Sequence, residues 1–111
     1  MIKTEKKDNK MIDLFDPTHI LSQNTRLVIM ITLITKKKII FNELQKILGI
    51  TPGNLDSHLK KLEYQKYVEI KKLLVNNSPR TIIIITSKGY QSTTLYISKL
   101  KKTLDRYIKK D

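Results

Sequence analysis

Gly53, Ser57, Lys60 and Lys61 recur at helical spacing and share one outward side of a short amphipathic stretch, with Asn54 and Asp56 on its flanks. Together they offer a glycine that lets another molecule approach closely, a hydroxyl and an amide that bond base edges, and two ammonium groups that neutralise phosphates. A merely solvated helix face would have the same polarity, so the neighbouring elements must decide. Bond-making chemistry has no comparable support. His19 and His58 are distant in sequence, there is no cysteine nucleophile, and no phosphate-cradling loop occurs among three glycines. His58 reads as a helix-edge packing or DNA-proximal residue rather than a base. Metal sensing would need cysteines or clustered histidines, so no metal ligands and no cofactor are expected.

The stretch that positions these residues is Phe41 to Leu62, FNELQKILGITPGNLDSHLKKL, which reads as two short helices and a tight turn. Asn42 is a good N-cap for the first, whose Leu44, Ile47 and Leu48 form one apolar face. Gly49 supplies a left-handed stop. Thr51 caps the second, Pro52 opens it where a missing N–H does no harm, and Leu55, Leu59 and Leu62 repeat on one side. The pattern is a helix-turn-helix.

At 111 residues the chain is one domain with a modest core. Its formal net charge is +12, and the first sixteen residues hold four lysines against four acids, so the excess lies downstream. Basic domains of this size usually meet polyanions, although charge alone is weak evidence. The lack of cysteine excludes disulfides. The longest apolar run, Leu27 to Ile34, is far short of the roughly 20 residues of a membrane span, and the N-terminus lacks the apolar core of a signal peptide. A cytoplasmic protein without membrane contact is expected.

Met1 to Asn9 is charged and without periodicity, as mobile tails are. Asp16-Pro17 reads as a cap and first residue of a short turn through Leu21, and a second start falls at Ser22 to Asn24. Thr25 to Thr35 is apolar nearly all round and should form the buried centre, ended by Lys36, Lys37 and Lys38. Ile39, Ile40 and Phe41 suit a very short strand. Beyond the exit at Glu63 to Tyr67, Val68 to Val75 alternates, with Val68, Ile70 and Leu74 on one side and Glu69 and Lys71 on the other. Asn76, Asn77, Ser78 and Pro79 are turn formers, and Thr81 to Thr86 is a β-branched run, so the two segments make a hairpin with Arg80 at its tip. A hairpin directly after such a helix is a wing. Ser87 to Lys109 returns to helix with Thr86 as cap, and Tyr90, Thr93, Ile97, Leu100, Leu104 and Tyr107 form a heptad-like seam longer than a small domain needs for its own core.

In this order and spacing the chain resembles the winged helix-turn-helix transcriptional regulators of bacteria and archaea, related to the MarR and ArsR types. The resemblance rests on Arg26-Leu27, Phe41-Asn42-Glu43-Leu44, Leu48 to Leu55, His58 to Glu63, Pro79-Arg80-Thr81 and Thr86 to Gly89. It implies an α+β, mainly α fold: a winged helix-turn-helix with a two-stranded wing and a long C-terminal dimerisation helix. Residues 1–15 would be a mobile tail, 16–86 the DNA-binding domain and 87–111 the dimerisation helix. The implied partner is double-stranded DNA, read by Thr51, Pro52, Gly53, Asn54, Ser57, Lys60 and Lys61 in the major groove and by Arg80 on the wing, and the charge of Lys71 is expected to add a phosphate contact there. A homodimer would be sealed by Tyr90, Ile97, Leu100, Leu104 and Tyr107. A small-molecule pocket between the central and C-terminal helices stays open as an alternative, although no residue of the sequence supports an effector. Two departures stand out: Asp56 places a negative charge near the DNA face, and Lys66 occupies the helix exit where glycine is usual. The rival reading is a winged helix used for protein contact without direct DNA readout.

Overall fold

The computed structural model describes residues 18–108. The expected tail at residues 1–15, the Asp16-Pro17 start and the last residues of the C-terminal helix lie outside them. The first described element is a 3-10 turn, Ile20–Ser22, capped by the His19 ring, which accepts from the Leu21 N–H. Helix α1, Asn24–Lys36, starts when the Gln23 side chain accepts from the Arg26 N–H. Strand β1 is Lys38–Ile40, followed by α2, Phe41–Leu48, and α3, Pro52–Tyr64. The wing strands are β2, Val68–Val75, and β3, Ser78–Ile85, and α4 spans Ser87–Tyr107.

The sheet has three antiparallel strands in the order β1-β3-β2. Ile39 opposes Ile83, and Ile83 opposes Ile70, so one apolar face crosses all three strands and rests on the helices. The core gathers Ile29, Met30 and Leu33 of α1, Leu44 of α2, the Leu55/Leu59/Leu62 row of α3, and Ile39, Val68 and Ile83 of the sheet. Each such side chain stabilises the fold by roughly 1.5–3 kcal/mol through burial. That concentration of leucines on one side of α3 fixes which side faces out.

Four local expectations change. Asn42 does not cap α2, because β1 pairs through Ile40 opposite Ile82 and the chain is already helical at Phe41, leaving no residue between strand and helix for a side-chain cap. Helix α1 is not buried all round: Val28 and Ile31, on the side away from Ile29 and Leu33, are each 43% exposed because nothing among the described residues covers that side. Leu74 is 72% exposed rather than inward, since the hairpin runs past the end of the helical layer. Ser78 and Pro79 belong to β3, and the turn is the two residues Asn76 and Asn77, with φ of 53° and 66°. A type I′ two-residue hairpin loop needs positive φ at both places, and asparagine tolerates it better than most residues.

The exit of α3 is where the chain departs most from usual composition. The Lys66 N–H donates to Glu63 O and the Tyr67 N–H to Leu62 O, both at 2.9 Å, and Lys66 has φ 64°. This is the Schellman geometry that glycine normally serves, here imposed on a lysine at an order of 1 kcal/mol. Gly89 in α4 lies directly against the Tyr67 carbonyl, and an added Cβ would run into that oxygen. Gly89→Ala is therefore expected to destabilise the domain by about 1–3 kcal/mol or more. Its thermal midpoint should fall by roughly 5 °C or more, and an unchanged midpoint would show that α4 can slide off this contact.

Candidate nucleic-acid interface

Helix α3 is aimed by its two ends. At its start the Thr51 hydroxyl accepts from the Asn54 N–H at 3.1 Å and Pro52 is the first helical residue. With Leu55, Leu59 and Leu62 buried, the opposite ridge of Gly53, Ser57 and Lys60 stands in solvent, with Lys61 beside it. Thr51, Pro52 and Asn54 are exposed at the same end. All seven residues expected to read a major groove thus lie on one exposed surface. Gly53 is informative, because a Cβ built there would meet nothing within 4 Å. The fold does not require glycine at this position, although glycine in a helix costs up to about 1 kcal/mol relative to alanine.

Continuing the ridge by one turn brings up Tyr64, 83% exposed, a residue of the expected helix exit that thereby joins the outward surface. The spacing Gly53, Ser57, Lys60, Tyr64 contained that signal. The two edges of α3 differ in sign. Asp56 and Glu63, two turns apart, occupy one edge, and Lys61 and His58 the other.

The wing residues Lys71 and Arg80 share the outer face of the hairpin, opposite to the face that carries Ile70 and Ile83, as the pairings Lys71–Ile82 and Leu73–Arg80 require. Arg80 is set back from the turn by Ser78 and Pro79, and its Nη1 donates to the Pro79 carbonyl at 3.0 Å. Lys71 Nζ lies 3.9 Å from Glu69 Oε1 with both side chains more than half exposed, a pairing worth little in water.

The five residues expected to join two chains are not equivalent. Tyr90 lies under the Lys37 ammonium, 4.8 Å from its ring centroid, while Ile97 and Leu100 are half-buried. Leu104 and Tyr107 are exposed. Thr93, on the same seam, is fully buried against the chain's own core. Along this seam the distal residues Leu104 and Tyr107 stand open, and Tyr90 is also exposed at its start.

Behind the basic edge of α3, Arg26 Nε donates to the Ile20 carbonyl at 2.7 Å and Nη1 lies 3.3 Å from His58 Nδ1. Burial, and then the positive charges of Arg26 and Lys61, lower the His58 pKa below its ordinary value. A histidine with a depressed folded pKa binds fewer protons than the unfolded chain, so its contribution to stability is complete above about pH 6.5 and is lost as the pH falls through the folded value. The thermal midpoint should therefore drop between pH 7 and pH 5, and this slope should be shallower in His58→Asn; equal slopes in the two proteins would remove His58 from the account.

No group of three or more His, Cys, Asp or Glu residues that could hold a metal occurs among the described residues, and no described helix is long and apolar enough to cross a membrane. Residues 25–104 match the family model described as a winged helix DNA-binding domain. A transcriptional regulator homologue from Pyrococcus horikoshii has a solved structure with TM-score 0.84 and 36% identity, over 91% of this chain and 99% of that one. An uncharacterized protein of Methanocaldococcus jannaschii is 45% identical over 60 residues, 54% of this chain, and the match spans 65% of that protein's length. A MarR mutant from E. coli, solved with operator DNA, shares the fold at TM-score 0.70 and 19% identity, over 95% of this chain and 73% of that one. The match over most of the chain, on a frame of four helices and a three-stranded sheet among the described residues, places this protein in the winged helix DNA-binding domain family, with the fold of MarR-type transcriptional regulators.

Proposed function

We propose that this chain is a transcriptional regulator that binds double-stranded DNA sequence-specifically as a homodimer, with α3 in the major groove and the wing at the minor groove or backbone. The observation that carries the reading is the exposed Gly53/Ser57/Lys60 ridge, whose glycine has no packing role. A helix lying in a major groove supplies the missing reason, since a side chain at that point would hold the helix off the base edges. The similarity to the Pyrococcus horikoshii regulator homologue and to a fold solved with operator DNA supports the same direction. The exposed Leu74 on the wing favours a second reading, a module that docks on protein.

The dimer rests on a different observation. Beyond the core, α4 carries Leu104 and the 59% exposed Tyr107 on a segment that nothing among the described residues covers. One recognition helix reads only a few base pairs, and a two-fold pair presents two of them one DNA turn apart, about 34 Å. Ile97, Leu100, Leu104, Tyr90 and Tyr107 would line or flank the joint.

Selection from random duplex DNA followed by titration tests the first reading. Affinity should fall with salt by about 0.9 log units per neutralised phosphate for each log unit of salt, and Arg80→Ala should reduce that slope by about 0.9. Gly53→Ala should raise the thermal midpoint while weakening selected-site binding roughly tenfold or more. Failure to enrich any duplex, or affinity indifferent to salt, would favour the protein-docking reading. Light scattering tests the second: the intact protein should show twice its 13.0 kDa chain mass, and Leu104→Glu with Tyr107→Glu should show one chain mass without loss of folding.

A further inference from the structure

An open cleft of about 420 Å³ lies between the 3-10 turn and the C-terminal half of α3, lined among others by Arg26, Lys60, Lys61, Tyr64 and Gln65. Three of its lining residues are cations, and none is a carboxylate among the described residues. The Arg26 guanidinium is half-buried and fixed by Ile20 O and His58 Nδ1, neither of which is an anion. With five N–H donors and two engaged, three remain without a partner among the described residues. A partly desolvated cation with no counter-charge among the described residues is costly, and an oxyanion in the cleft would offset that cost.

We propose that this cleft seats a backbone phosphodiester of the bound duplex, with Arg26 and Lys61 as the charge clamp and Tyr64 as a hydrogen-bond donor at its mouth. The proposal rests on the DNA-binding reading and adds to it the side of α3 along which the strand runs. Lys60 belongs both to the groove-facing ridge and to the cleft, so the two surfaces are continuous. Asp56 and Glu63 on the opposite edge repel a phosphate chain there. The negative residue that departs from the usual pattern thereby acquires a role: it leaves the Arg26 edge as the favourable path for the strand.

The test uses the full chain and a duplex obtained by selection, with phosphate-ethylation interference and salt titration as readouts. Arg26→Gln should lower the salt slope by about 0.9 and abolish interference at one phosphate per half-site. Because Arg26 also braces the 3-10 turn, Gln65→Glu gives a second reading: it adds a carboxylate to the cleft from an exposed position. It should weaken binding about tenfold at low salt while leaving the thermal midpoint unchanged. Wild-type interference maps and slopes in both variants, with Lys60→Gln still lowering the slope, would overturn the clamp and leave the DNA reading standing. A rise in the free protein's thermal midpoint with millimolar inorganic phosphate beyond that with chloride of equal ionic strength, with the interference maps unchanged, would assign the cleft to a free anion and likewise overturn it. Absence of any selected duplex would remove both readings together.

Discussion

The carbonyl groups of Lys66 and Tyr67 are where the parts of this domain are held in register. The Thr86 hydroxyl lies 2.7 Å from Lys66 O and 3.1 Å from Tyr67 O, the Thr86 N–H donates to Tyr67 O at 3.0 Å, and the same hydroxyl accepts from the Gly89 N–H at 2.9 Å. One threonine thus joins the exit of α3, the end of β3 and the first turn of α4. Gly89 then brings α4 against the Tyr67 backbone with no side chain between them. The positive φ at Lys66 follows from this arrangement, because the chain must reverse within one residue to present both carbonyls to Thr86.

That junction has a functional consequence. The angle between α3 and α4 is set by the hydrogen bonds of one short side chain and its own N–H, at Thr86, and by the close backbone contact at Gly89, not by long flexible side chains. If two copies associate through α4, the separation of their recognition helices is inherited from this joint. Rigid placement of reading elements is what lets a pair of short helices match a fixed spacing on DNA. The wing is held differently: only its base, at Val68 and Ile83, sits in the core, and its distal half extends into solvent.

Within α3 the same residue-level economy separates folding from recognition. The leucine row faces the core, the Gly53/Ser57/Lys60/Tyr64 ridge faces out, and the two edges carry opposite charge. The acidic edge made by Asp56 and Glu63 looks unfavourable for a nucleic-acid surface when taken alone. Beside a cleft containing Arg26 and Lys61 it becomes one half of an asymmetric potential.

The chain's local grammar was readable in full wherever a single residue type has one dominant physical use. Gly49 at φ 65°, Thr51 as cap, Pro52 at the first helical position, Thr86 as the cap of α4 and the β-branched run of β3 all stand where their chemistry places them. Periodicity likewise identified the leucine row of α3 and hence its outward ridge. What tertiary structure alone decided are relations between segments distant in sequence. Arg26 meets His58 across 32 positions, and Thr86 reaches Lys66 across 20. Asn42 lost its capping role to a strand pairing with Ile82, and the apolar circumference of α1 was divided into covered and uncovered sides by where the sheet and α4 happen to lie. Propensity and periodicity act over a few residues, whereas burial and pairing depend on which surfaces the folded chain brings together, so the ridge was legible in advance and the cleft beside it was not.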